Sequence, residues 1–170
     1  SIIDPGGQST ELVTADRSDQ GWKVGFRRSY PIGTLGLRGR YGERLVFPGL
    51  LEAIAEIDDT IGLAYRPGQG GTAVVLGATG TNLVTIRERM TQWDPSRVHG
   101  ASLDYEEASK AVGWLGPLSD RERAETVGLE PGRETTIHYG ALILERFLFA
   151  LRAYECRVSV RGWRHSLLES

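Results

Sequence analysis

The chain has one cysteine, Cys156, among 170 residues. A lone thiol cannot close an internal disulfide, so no covalent framework holds this fold, and a reducing compartment is expected. Cys156 lies in a mixed stretch just ahead of a strand-like run, and reads as a buried structural thiol. Lysine is almost as scarce: Lys23 and Lys110 are the only two. Acidic groups outnumber basic ones by 22 to 20, for a net charge of -2. That balance excludes a chain-wide attraction to nucleic acid. No apolar run approaches the roughly 20 residues that span a bilayer, and no secretory segment is seen. The expected partners therefore include no nucleic acid and no membrane, and the expected location is cytoplasmic. The chain also lacks an initiator methionine and opens inside a strand-like run, as a piece of a longer protein would.

What remains of the positive charge is arginine. Its planar fork suits phosphate. The plainer account is genomic base composition, and the bias alone decides nothing. At 40% hydrophobic and 25% charged residues, the chain is long enough for one domain with its own core.

The pattern along the chain is β, β, β, α, β, α, α, α, β, α. A short strand, Ser1 to Ile3, meets a turn and then a second strand, Leu12 to Ala15. A third runs from Trp22 to Ile32, with Trp22, Val24 and Phe26 alternating against Lys23 and Arg27. Gly33 to Tyr41 reads as a turn or short helix. Pro48 suits a first helical turn, after which Leu50, Leu51, Ile54, Ile57 and Ile61 recur at helical spacing. Arg66 to Gly71 breaks that helix. Thr72 to Leu76 reads as a buried strand that turns through Gly77-Ala78-Thr79-Gly80-Thr81 into a helix ending near Met90. Asp104 and Ser119 read as helix N-caps with acidic first turns. A strongly apolar helix spans Tyr139 to Tyr154, a last strand Arg157 to Val160, and a short helix closes the chain.

Two turns carry the chemistry. The first is Asp4-Pro5-Gly6-Gly7-Gln8-Ser9-Thr10-Glu11. Glycine backbone and hydroxyls there offer donors to anionic oxygens, and two carboxylates flank them. Such carboxylates can hold a divalent cation or a water. In that reading Gly6 and Gly7 admit a phosphoryl group, and Ser9 and Thr10 donate to it. The alternative is a turn whose polar groups satisfy only one another. The second is Gly77 to Thr81, where a helix N-terminus presents free N–H groups, with Thr79 as a candidate cap. Capping alone would explain it equally well. His99, His138 and His165 share no metal-ligand spacing and are expected to be structural.

Taken in order, these pieces resemble the exopolyphosphatase/guanosine pentaphosphate phosphatase family, Ppx/GppA. The family pattern D-[IL]-G-G-G-S-T-E-L stands here as Asp4 to Leu12, S-x-P-x-G-x-x-x-L as Ser29 to Leu37, and G-G-T-x-x-x-L as Gly77 to Leu83. Val98-His99-Gly100, Glu122-Arg123, Gly128-Leu129, Arg133 to Ala141 and Ser159 to Arg164 follow in family order. Pro5, Gln8 and Ala78 depart from the pattern, as do His165 and Ser166.

The resemblance implies an α/β fold: one lobe of the ribonuclease-H-like, actin-like architecture, a mixed sheet with an antiparallel meander and flanking helices. Residues 1–170 would form a single domain, the second of two lobes, with the first lobe and its catalytic glutamate preceding Ser1. It implies Mg²⁺-dependent hydrolysis of phosphoanhydrides in inorganic polyphosphate or guanosine pentaphosphate. Asp4 and Glu11 would be catalytic and bind the metal. Gly6, Gly7, Ser9, Thr10, Gly77, Thr79 and Arg164 would bind phosphate, whereas Arg133 is expected in an ion pair within the lobe. Expected partners are the substrate, the first lobe and, as a further option, a second copy of the chain. The departures leave open a degenerate module that binds polyphosphate or an alarmone without turnover; a third reading is a lobe of another actin-like ATPase or sugar kinase.

Overall fold

The computed structural model describes residues 1–62 and 72–162. Among them a six-stranded mixed sheet has the order β3-β2-β1-β4-β6-β5. Its strands are β1 (Ile2–Pro5), β2 (Thr10–Ser18), β3 (Gly21–Tyr30), β4 (Ala73–Val75), β5 (Ser102–Asp104) and β6 (Glu155–Val158). The meander β1-β2-β3 is antiparallel, β1, β4 and β6 run parallel, and β5 returns antiparallel along β6. The helices are α1 (Thr34–Tyr41), α2 (Gly49–Ile61), α3 (Gly77–Arg87), α4 (Pro95–Val98), α5 (Tyr105–Leu115), α6 (Asp120–Ala124) and α7 (Ile137–Leu151). The mixed sheet with its meander and flanking helices is the architecture expected from the sequence.

Helix α7 organises the packing. Its residues Ala141 to Leu144, Phe147 and Leu148 are almost wholly buried. It contacts β1 and four helices: α1, α2, α3 and α5. From the sheet, Ile3, Leu12, Val75 and Val158 complete the core. Such a helix, apolar nearly all round, is the one a domain buries most deeply.

Several boundaries differ from the sequence pattern. Of the two readings of Gly33 to Tyr41, the short helix is the one found, over Thr34–Tyr41. Pro48 is the N-cap of α2, after a cis Phe47–Pro48 bond, not its first residue. Strand β5 and helix α4 go unforeseen, being three and four residues long. The apolar alternation of Trp22 and Val24 also misleads: both are exposed, because the hairpin is exposed throughout residues 16–25. Both expected N-caps hold, since Asp104 and Ser119 each complete a reciprocal capping box. The closing helix expected after Gly162 lies outside the described residues.

One cation ties the helical layer together. Arg123 is fully buried. Its guanidinium donates to the carbonyls of Glu43 (2.7 Å), Leu115 (2.9 Å), Glu134 (2.5 Å) and Leu118, and to the Asp120 carboxylate (2.6 Å). Arg38 of α1 also grips Asp120 through two parallel bonds of 2.9 and 2.7 Å. Removing the guanidinium strands four carbonyls, while Asp120 keeps its two bonds from Arg38. Arg123→Ala should therefore lower unfolding free energy by about 3 kcal/mol or more, measurable by urea denaturation. A loss below about 1 kcal/mol would show that water replaces it freely.

Candidate active site

Strand pairing builds the site. In the β1–β2 ladder Asp4 lies directly opposite Glu11, so both side chains leave the same face of the sheet, with Cβ atoms about 5 Å apart. In the neighbouring parallel pair Ile2 faces Val74 and Ile3 faces Val75, and Leu76 N–H donates to the Ile3 carbonyl (2.9 Å). The end of β1 thus lies beside the end of β4. A Cβ placed on Gly77 would sit 3.1 Å from Asp4 Oδ1, and Gly77 itself has φ +78°. The two turns singled out in the sequence therefore meet.

They meet in a cleft of about 570 Å³, lined among others by Asp4, Gly6, Gly7, Gly77, Thr79 and Arg133. Its donors are largely backbone. Helix α3 begins at Gly77 with Leu76 as N-cap and no side-chain cap, so among the described residues its first-turn N–H groups have no partner. In the first loop Gly6 N–H is committed to the Ser9 carbonyl (2.8 Å). The Gly6 and Gly7 carbonyls point back to α1, accepting from Thr34 N–H (3.0 Å) and Leu35 N–H (2.9 Å). This seating needs Gly33, where a Cβ would overlap the Gly7–Gln8 backbone.

The remaining sequence candidates are placed as follows. Glu11 accepts from Ser9 Oγ (2.6 Å) and Ser29 Oγ (2.8 Å) through one oxygen, Oε1. It stands beside Asp4 but is not among the cleft-lining residues. Ser9 spends its hydroxyl proton on that bond. Thr10 is fully buried and donates to the Ile32 carbonyl (2.7 Å), inside the fold and away from the cleft. Thr79 lines the cleft without capping α3, its side chain packed on Gly140 of α7. Arg133 lines the cleft and also bonds Glu130 (3.3 Å). Arg164 and His165 lie outside the described residues. Of the departures, Pro5 and Ala78 line the cleft, while Gln8 is exposed and does not.

Sequence reasoning missed Thr34, Thr135 and Thr136, which also line the cleft. The signal was present: Thr34 follows the Ser29–Gly33 motif, and the other two follow Arg133.

Neither described histidine serves this cleft. His138 is fully buried with neither ring nitrogen bonded, and burial plus the charges of Arg123 and Arg38 push its pKa down to about 3. His99 Nδ1 accepts from Val160 N–H at 3.4 Å. Cys156 is buried within β6, and burial followed by Glu155 and Glu107 pushes its thiol up to about 12.

Asp4 is electrostatically uncomfortable. Among the described residues its carboxylate has no hydrogen-bond or ion-pair partner. Burial first, and the Glu11 charge second, raise its pKa above the ordinary aspartate value. A hard divalent cation needs one or two carboxylates plus ligand oxygens and water, and it reverses both causes of the shift. Asp4 and the Oε2 of Glu11, which accepts no hydrogen bond among the described residues, fit that requirement. Among the described residues there is no cluster of three or more His, Cys, Asp or Glu that could hold a metal unaided.

A raised pKa means that the folded state holds this proton more tightly than the unfolded chain. Asp4 therefore costs stability as pH rises above the ordinary carboxylate value, in full once the raised pKa is passed. Without added divalent cation, Asp4→Asn should raise the thermal midpoint at pH 7, and the gain should vanish near about pH 3. A midpoint lowered at pH 7 would contradict this origin of the shift. Gly77→Ala should cost about 1 kcal/mol or more, since alanine meets both a left-handed φ and the Asp4 carboxylate. Thermal denaturation would check it, and an unchanged midpoint would mean that the bend relaxes freely.

Among curated proteins none matches the chain significantly. Solved structures do. The Aquifex aeolicus member of the Ppx/GppA protein family is 26% identical, with a TM-score of 0.88 over 98% of this chain and 54% of its own. An exopolyphosphatase-like protein is 23% identical, with a TM-score of 0.85 over 99% of this chain and 58% of its own. An exopolyphosphatase from Cytophaga hutchinsonii is 16% identical, with a TM-score of 0.79 over 99% of this chain and 55% of its own. The chain thus spans about half the length of these relatives. The model of the Ppx/GppA phosphatase family matches residues 1–170, and the chain belongs to that family.

Proposed function

We propose that this chain is the second lobe of a two-lobed phosphatase that releases terminal phosphate from inorganic polyphosphate or guanosine pentaphosphate. The observation that carries the reading is the shared cleft: Asp4, the Gly6–Gly7 loop and the start of α3 line one cavity. Family membership supports phosphatase chemistry. The substrate and the two-lobed arrangement are this proposal's own.

The residues divide the work by chemistry. The free N–H groups at the start of α3 hold phosphoryl oxygens, where donors and dipole both favour negative charge. Arg133 adds a guanidinium from the opposite wall, and Arg164 is assigned to the same phosphate chain. Gly6 and Gly7 let the loop close, since a Cβ would meet the Ser9 carbonyl at the first and Leu35 at the second, and so bring its backbone to the phosphate. Asp4 orients the attacking water, and the glutamate expected in the first lobe takes its proton. The water oxygen bonds to the terminal phosphorus, the bridging P–O bond breaks, and the shortened chain leaves with its electron pair. Asp4 and Glu11 would hold Mg²⁺, which when bound neutralises phosphoryl charge and acidifies water. The first lobe closes the cleft and completes the site. The reaction belongs in the cytoplasm, and a second copy of the chain is a further partner.

Binding without turnover is the second reading. It is favoured by Pro5, which removes an N–H from the loop, and by Ala78 in the cleft wall. Phosphate release from both substrates with Mg²⁺, assayed on the complete protein, separates the two. Asp4→Asn and Glu11→Gln should each lower kcat by about 100-fold or more. Release undiminished by either substitution would refute the assignment. Saturable binding with no release would establish the second reading instead.

A further inference from the structure

Three residues form a row across the meander. Asp4 of β1 lies opposite Glu11 of β2, and Glu11 lies opposite Ser29 of β3. Residues in such a row leave the same face of the sheet, close enough for neighbouring side chains to bond. Asp4 and Glu11 carry the charge. Ser29 is exposed, sits on the outermost strand and belongs to neither of the two turns. Its hydroxyl nonetheless donates to Glu11 at 2.8 Å, and the Ser9 hydroxyl donates at 2.6 Å.

Both bonds reach the same atom, Oε1. Each carboxylate oxygen has about two acceptor positions. The two serines fill those of Oε1, whereas Oε2 accepts no hydrogen bond among the described residues. The last torsion of a glutamate is broad and two-fold. An unrestrained Glu11 would therefore exchange its oxygens, or swing away from the Asp4 charge. Two short bonds to an ionised acceptor, one from the loop and one from the neighbouring strand, remove that freedom. A cation at Asp4 and Glu11 can then draw on Oε2 alone. Ligation through one oxygen suits Mg²⁺, which demands near-ideal octahedral geometry and keeps several of its waters. Ca²⁺ gathers about six to eight oxygens and readily takes a carboxylate through both of its own.

We propose that Ser29, together with Ser9, is a positioning residue that sets cation selectivity: by occupying Oε1 it confines Glu11 to one ligating oxygen and shifts the site from Ca²⁺ toward a small octahedral ion. That a cation binds at Asp4 and Glu11 rests on the function proposed above. The role of Ser29 rests on the two bonds that converge on Oε1.

Displacement of Mn²⁺ from the complete protein by Mg²⁺ or by Ca²⁺, followed by electron paramagnetic resonance without substrate, tests it. Ser29→Ala should move the ratio of the two dissociation constants toward Ca²⁺ by about tenfold or more. Ser29→Thr keeps the hydroxyl on a residue suited to a strand, and should retain the wild-type ratio. Ser29 is exposed, so its truncation opens no core, and thermal midpoints confirm that the variants fold. A ratio unchanged by Ser29→Ala, or an equal loss of affinity for both ions, would overturn the role of Ser29. If Asp4→Asn still abolished Mn²⁺ binding, the metal assignment would stand without it. A wild type that binds no Mn²⁺ would overturn the metal assignment and this inference together. Ser29-dependent selectivity in a protein that releases no phosphate would uphold the inference and overturn the phosphatase reading.

Discussion

The site depends on one pairing, that of β1 with β4. These strands are about seventy residues apart in the chain, yet only their parallel alignment puts a carboxylate next to a helix start. The Leu76 N–H to Ile3 carbonyl bond marks the junction. Past it, both strands end at the same edge of the sheet, and each hands over to a turn. Ligands of open α/β sheets gather at the carboxyl ends of parallel strands for this reason. Here the arrangement is sharpened by a residue without a side chain, because a Cβ on Gly77 would press to 3.1 Å on the Asp4 carboxylate.

Asp4 shows what such a junction costs. Its carboxylate is partly desolvated, faces a second carboxylate, and has no internal counter-charge among the described residues. A fold selected for stability alone would not keep it so. The reverse holds for Arg123, whose buried charge is surrounded by oxygen acceptors. One ionised group is fully satisfied and has a structural role. The other is left unsatisfied at the mouth of a cleft, where an external cation can complete it.

Much of this was legible from residue order. The alternation and helical spacing of the apolar residues gave the elements and their sequence. The Asp4–Glu11 turn and the Gly77 bend were recognisable because glycine, acid and hydroxyl cluster there with little apolar residue between. Serine and threonine were harder to read. Ser9 and Thr10 have hydroxyls like any others, and whether they face ligand or fold depends on neighbours 2 and 22 residues away. Thr34, Thr135 and Thr136 reach the cleft only through tertiary packing. Strand β5 is too short to show a period, and it exists because β6 offers it an edge. Trp22 and Val24 follow a strand pattern faithfully yet stay exposed, because no element covers that end of the hairpin among the described residues, a fact that periodicity cannot carry.

The glycine loop has a further mechanical property. Two glycines in succession would ordinarily make a compliant segment, yet the Gly6 and Gly7 carbonyls are each held by an N–H in the first turn of α1. That helix is in turn clamped by Arg38 to Asp120, which also engages the buried guanidinium of Arg123. The stiffness of the loop is therefore borrowed from behind. A displacement of its backbone would have to drag a helix and strain a chain of ion pairs, so the loop is set in shape before anything enters the cleft.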